Sequence, residues 1–237
     1  LLNPMDRLRA SRHSLGEALS NRNVVPVLGP GALLVEGAPD TTGSVPFYRL
    51  VVNELLRTFS VSLVESDDES NPWLLHRAVA QVLDVRSDLT AERIRRSVSA
   101  IVKDVAAKVQ SAPLLDRLSR LSGFDLFVCL TPDDLLVDAL RRAHGNAAIE
   151  ASSYAPSADS SQTPDILPSR LGIRRVYFPL GRSAAGSRIA IHDEDAFEHL
   201  YKFQEEGTAR APNLMRALRS RDLLLLGCSL PDWLGRM

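Results

Sequence analysis

The chain has 237 residues, of which 45% are apolar and 24% charged, with a formal net charge of −1. That length suits one large α/β domain, or one such domain with a small helical insert, and the composition is that of an ordinary globular protein. A charge so close to zero excludes a global electrostatic pull toward nucleic acid or a membrane surface. No apolar run approaches the ~20 residues a bilayer-crossing helix needs, and no secretory signal is visible, so a cytoplasmic location is expected. The two cysteines, Cys129 and Cys228, each sit in an apolar run and read as buried thiols in a reducing compartment.

In chain order, "LLNPMDRLRASRHSLGEALS" has the pattern of a starting amphipathic helix. "NVVPVLG" (23–29), "FDLFVCLT" (124–131), "RRVYFPLG" (174–181) and "DLLLLGCS" (222–229) are short and almost continuously apolar, the pattern of strands covered on both faces. "SRIAIHD" (187–193) is a weaker fifth candidate. Between the first two strands, "SVPFYRLVVNELLRTF" places Tyr48, Val51, Val52, Leu55, Leu56 and Phe59 at helical spacing. "NPWLLHRAVAQVLD" opens with an Asn cap and a Pro in its first turn. A further stripe runs through Ile94, Val98, Ile101, Val102, Val105 and Val109, and "APLLDRLSRLS" and "DDLLVDALRRAH" complete the helices. Residues 61–121 therefore read as a helical insertion able to form its own small module, and 151–169, rich in Ser, Pro and Ala, as an irregular connection. Strands separated by helices predict an α/β fold with a doubly wound, mostly parallel, Rossmann-like sheet across residues 1–237. A start at Leu1 and a stop at Met237 inside an apparent helix start read as a piece of a longer protein.

The turn "LGPGALL" sits where doubly wound folds seat their ligands, at the carboxyl end of the first strand. Gly29 and Gly31 would let backbone amides approach a phosphate, and a helix start behind them would add partial positive charge. A plain tight turn is the alternative. Gly-x-Gly-x-x-Gly fails because Leu34 occupies its last position, and no acidic residue ends a second strand about 20 residues on. The phosphate-loop pattern ending in Gly-Lys-Ser/Thr is absent too, so ordinary hydride transfer and P-loop chemistry are both disfavoured.

The remaining polar candidates each carry a plainer reading. In "TPDDLLVDAL", Thr131 as cap, Pro132 in the first turn and the acids Asp133 and Asp134 account for a helix start without any ligand. Ser229 and Asp232 in "SLPDW" face the same choice, with Trp233 packing beneath. Arg182, directly after Gly181, is placed to meet a phosphate or to pair structurally. His192 reads as a strand-end or loop residue before a helix capped by Asp193, His76 and His199 as partly exposed helix-face residues, and His144 as a helix-closing residue before Gly145. His13 is read as solvated, and no His/Cys/Asp spacing suggests a metal. Basic runs at 93–96 and 141–144 lack interleaved aromatics, which argues against nucleic-acid stacking.

Four segments in order resemble the sirtuin-like (silent information regulator) fold, especially its bacterial immune branch. "VVPVLGPGAL" resembles the opening strand and glycine loop, and "FVCLTPDDLLVDAL" the strand and helix start written Thr-Thr-Asn-Tyr-Asp in that family. "VYFPLGR" lies where the family carries Lys-Leu-His-Gly, and "LLLLGCSLPDW" is similar to its last strand with a Gly-x-Ser-Leu-x-Asp ending. "VPFYRLVVNELL" is similar to bacterial members in which such a domain precedes a TIR (Toll/interleukin-1 receptor) domain. Active members use an Asn and a general-base His on the nicotinamide riboside bond. The resemblance puts Thr131 at the Asn, Asp133 at the Asp, Leu180 at the His and Leu33 at the loop Ser, and keeps Gly181.

Leucine accepts no proton, and loss of a general base forfeits roughly 10²–10⁴-fold in rate. The resemblance therefore implies a degenerate, non-catalytic domain that binds NAD or ADP-ribose, or mediates assembly, and regulates an attached effector such as a TIR domain in an antiphage protein. Its ligand would lie over Gly29, Gly31, Thr131, Asp133, Gly181, Arg182, Gly227, Ser229 and Asp232. A homo-oligomer or a C-terminal effector in cis is the expected partner, with no catalytic residue and no metal. The alternatives are an NAD hydrolase that works through an unrecognised base, and a ligand-free interaction scaffold.

Overall fold

The computed structural model describes residues 16–18, 20–38, 43–62, 73–156, 165–166, 172–183 and 188–228. Five short strands form one parallel sheet: β1 (Val24–Leu28), β4 (Leu126–Cys129), β5 (Ile149–Ser153), β6 (Arg174–Phe178) and β7 (Asp222–Leu226), in the order β5-β6-β4-β1-β7. β1 and β4 are buried at every position, as continuous apolar runs between helical layers require. A separate antiparallel pair, β2 (Leu34–Val35) with β3 (Val45–Pro46), follows β1. Residues 16–18 and 20 are helical, and the later helices among the described residues are α1 (Phe47–Phe59), α2 (Leu74–Val85), α3 (Ala91–Ala106), α4 (Pro113–Arg120), α5 (Leu135–His144), α6 (Asp193–Arg210) and α7 (Pro212–Ser220). This is the expected α/β class.

On one face of the sheet a large apolar cluster joins Val24, Leu28 and Phe127 to Val51 and Leu55 of α1, Val79 of α2 and Val98 of α3. The helices between β1 and β4 thus share the sheet's core instead of holding one of their own. On the other face Val25, Val27, Leu126 and Val128 pack with Tyr154, Tyr177 and Leu214.

Several sequence expectations are corrected. The fifth strand is Ile149–Ser153, so residues 151–153 leave the irregular connection and pair with Val176, Tyr177 and Phe178. Residues 188–191 belong to no strand, and Ala190 N–H donates to the Leu180 carbonyl at 2.9 Å. β7 is an edge strand, and Leu223 and Leu225 are 49% and 55% exposed, not covered on both faces. The cap of α6 is His192, whose Nδ1 accepts from the Asp195 amide, and not Asp193. His76 and His199 are buried at 7% and 0% exposure. His76 Nδ1 lies 3.1 Å from Asp193 Oδ1, while His199 Nδ1 bonds the Asp195 carbonyl at 2.8 Å. The cap of α5 is Asp134, so Thr131 lies before the helix. The Asn71 cap, and the segment 1–15 with His13, lie outside the described residues.

The His76–Asp193 contact and one from Arg95 fasten the α2–α3 segment to the start of α6. Arg95 of α3 donates through Nη2 to both oxygens of Asp195 (3.1 and 3.0 Å) and through Nε to the Ile189 carbonyl. Burial works against ionisation of Asp195, but the Arg95 hydrogen bonds and the Ile191 amide outweigh it and hold the carboxyl below its usual range. The His76 hydrogen bond does the same for Asp193. In the interrupted connection, Asp165 accepts from the Asn213 and Leu214 amides at 3.0 Å each, so a residue distant in sequence caps α7.

Candidate functional site

The carboxyl ends of β1, β4, β6 and β7 carry most of the predicted site residues. Gly29 and Gly31 lead into a single 3₁₀ turn (Pro30–Ala32) and then β2, so no α-helix start stands behind them. Each amide N–H of the turn is already committed. Gly29 donates to the Leu226 carbonyl (2.9 Å), Gly31 to Gly227 (3.0 Å), Ala32 to Gly29 (3.1 Å) and Leu33 to Pro30 (3.1 Å), while Pro30 has no N–H. The glycines are required by chain packing. A Cβ on Gly29 would lie 2.5 Å from the Gly227 carbonyl oxygen, and one on Gly227 (φ +60°) would lie 1.9 Å from Ala32 N. Gly29, Gly31 and Gly227 therefore do converge, as the sequence placed them, but onto one another. Leu33 is buried beside them at 2% exposure.

Thr131 and Asp133, after β4, are buried at 4% and 3% exposure. Tyr48 of α1 donates its hydroxyl to Asp133 Oδ2 at 2.9 Å, and the Leu135 amide donates to Oδ1 at 3.2 Å. The Thr131 hydroxyl joins the same pair. Burial pushes the Asp133 carboxyl up from its ordinary value, against the pull of these donors, and pushes the Tyr48 phenol and the Cys129 thiol well up too. Asp133 thus anchors α1 and the α5 start to the end of β4. Cys129 and Cys228 are both free thiols, and Cys228 is only half-buried, against the expectation of two buried ones.

After β6, Leu180 is 3% exposed and packs with Trp73, Ala190 and Ala196. The Trp73 ring meets His76 edge-on at 4.8 Å, while His76 turns its Nδ1 to Asp193. Gly181 (φ +87°) lies against the backbone of Arg188, where a Cβ would approach the carbonyl oxygen to 2.1 Å. Arg182 pairs through Nε with Asp134, and its guanidinium carbon stands 5.6 Å from the centre of the Phe178 ring. Ser183 donates its amide to the Pro132 carbonyl at 2.8 Å, and its hydroxyl is buried with no hydrogen-bond partner among the described residues.

Each described histidine has a partner within the fold. His144 closes α5 on the Ser119 carbonyl (2.6 Å), His192 caps α6, and His76 and His199 have the partners given above. Ser229 and Asp232 lie outside the described residues. Among the described residues, no cluster of three or more His, Cys, Asp and Glu is arranged for a metal, and no helix is long and apolar enough to cross a membrane. Sequence reasoning missed Tyr48 as a site residue, because its phenol sits in an otherwise apolar helical stripe. It also missed Ser183, for which no local signal exists.

Fold and site define a parallel α/β domain whose strand-end groups are mostly bonded to one another. Comparison with protein-family models and with curated proteins gives no match to the chain.

Proposed function

We propose that this is a non-catalytic, sirtuin-like domain that binds an NAD- or ADP-ribose-type nucleotide and thereby regulates an effector attached to it in a bacterial antiphage protein. The observation that carries the non-catalytic half is Leu180. It occupies the position where the resemblance calls for the general base, and it is sealed into an apolar cluster with Trp73, Ala190 and Ala196. Asp133 does not replace it, because its two oxygens already accept from Tyr48 and Leu135. Chromatographic assay of the purified chain with NAD is expected to give no nicotinamide above the spontaneous rate, while calorimetry with NAD or ADP-ribose gives saturable heat. Nicotinamide release at an enzymatic rate overturns the non-catalytic reading, and absence of heat with both ligands overturns the nucleotide half.

A second reading, a ligand-free assembly scaffold, is favoured by the committed amides of the glycine turn. Light scattering that finds a defined oligomer indifferent to NAD and ADP-ribose selects it.

A further inference from the structure

Resting on the nucleotide reading above, we infer that the anionic group of the ligand is taken at the end of β6 by Arg182 and Ser183, and not by the glycine turn after β1. A phosphate needs donors that are free to turn toward it. The turn at 29–33 has none left, since its four N–H groups donate within the chain. Two groups at the end of β6 are in the opposite condition.

The Arg182 side chain is only 15% exposed and is held by two contacts, Nε on Asp134 and the Phe178 ring beneath the guanidinium. Both contacts leave the Nη edge of the fork untouched, and neither Nη1 nor Nη2 makes a hydrogen bond among the described residues. A guanidinium oriented by one carboxylate keeps the planar two-donor edge that suits a phosphate. Ser183 follows directly. It is 2% exposed, its amide is pinned to Pro132, and its hydroxyl has no partner among the described residues. Buried hydroxyls are nearly always satisfied, so one left open on the residue that follows a prepared guanidinium is explained by a ligand oxygen that completes it. The group recognised is a phosphate or pyrophosphate, whose several acceptor oxygens can meet a fork and a hydroxyl together. Asp134 opposes the anion's charge and sets a moderate affinity.

The test uses the whole chain, titrated calorimetrically with sodium pyrophosphate and separately with ADP-ribose, for the wild type, Ser183→Ala and Arg182→Gln. Binding of both probes is expected, weakened about tenfold or more by each substitution, as for loss of a hydrogen bond to a charged group. Ser183→Ala loses no protein partner, so its melting temperature without ligand stays at the wild-type value, and it remains informative if Arg182→Gln fails to fold. ADP-ribose bound equally by all three proteins overturns the assignment and leaves the nucleotide reading standing. Pyrophosphate bound through Arg182 and Ser183, with ADP-ribose not bound, keeps the anion site and removes the nucleotide reading. Binding of neither probe removes both.

Discussion

Replacing Gly227 by alanine tests the conclusion that the strand-end glycines are spaced by chain packing. The added Cβ would lie 1.9 Å from Ala32 N and 2.3 Å from the Gly31 carbonyl carbon, both backbone atoms that cannot swing away. Relief requires the β7 end to retreat from the turn after β1, which strains or breaks the Gly31-to-Gly227 and Gly29-to-Leu226 hydrogen bonds. Left-handed backbone for a residue with a Cβ, an overpacked contact and two weakened bonds together cost about 4–6 kcal/mol. For a chain of this size that lowers the melting temperature by about 10–20 °C. Gly145→Ala is the control, since Gly145 also has positive φ (+84°) but nothing within 4 Å of the new methyl. Backbone strain alone there costs about 1–3 kcal/mol. Urea unfolding of both variants checks the difference, and a Gly227→Ala cost no larger than that of Gly145→Ala refutes the packing argument.

Tyr48→Phe leaves Asp133 Oδ2 buried without its donor and is expected to cost about 1–3 kcal/mol in denaturant titration. Asp195→Ala takes two hydrogen bonds from Arg95, which keeps Glu92 and the Ile189 carbonyl, and the acceptor from the Ile191 amide, and should cost about 1.5–3 kcal/mol. A double-mutant cycle with Arg95→Met then recovers part of the loss. Burial lowers the His199 imidazole from its ordinary 6.5, so the folded state resists protonation. The stability this supplies is full above 6.5 and declines as pH falls toward the depressed value, by at most about 1.4 kcal/mol per pH unit. Asp193 and Asp195, held below 3.8, add a loss of the same sign at lower pH, whereas Asp133, raised by burial, opposes it. Urea midpoints measured between pH 5 and 7 should therefore fall with acidification, and His199→Gln should flatten that slope.

β1, β4 and β6 were legible because strands covered on both sides must be apolar throughout, and α1 and α3 because each shows one apolar stripe. β5 was not, because Glu150, Ser152 and Ser153 are half-buried on a sheet edge and need no hydrophobic run. The extent of α6 was equally hidden. Its buried residues are Asp195, Ala196, His199 and Gly207, which carry no apolar period. β7 was legible as a strand but not as an edge, since four leucines do not say how many neighbours they have. At the site, a Gly-Pro-Gly sequence declares that Cβ atoms are excluded but not what fills the space, and here it is Gly227. Leu180 was legible as an apolar residue at a strand end, and it packs as one against Trp73, Ala190 and Ala196.

The pairing of Val24 with Asp222 and of Leu28 with Leu226 has a consequence for biosynthesis. Among the described strands, the earliest-made acquires its second neighbour from the last-made, so during translation one side of β1 stays open until residue 226 has left the ribosome. Closing so distant a contact is entropically slow. Nascent chains halted before residue 222 should accordingly be targets for chaperones and proteases in a way that the finished domain is not.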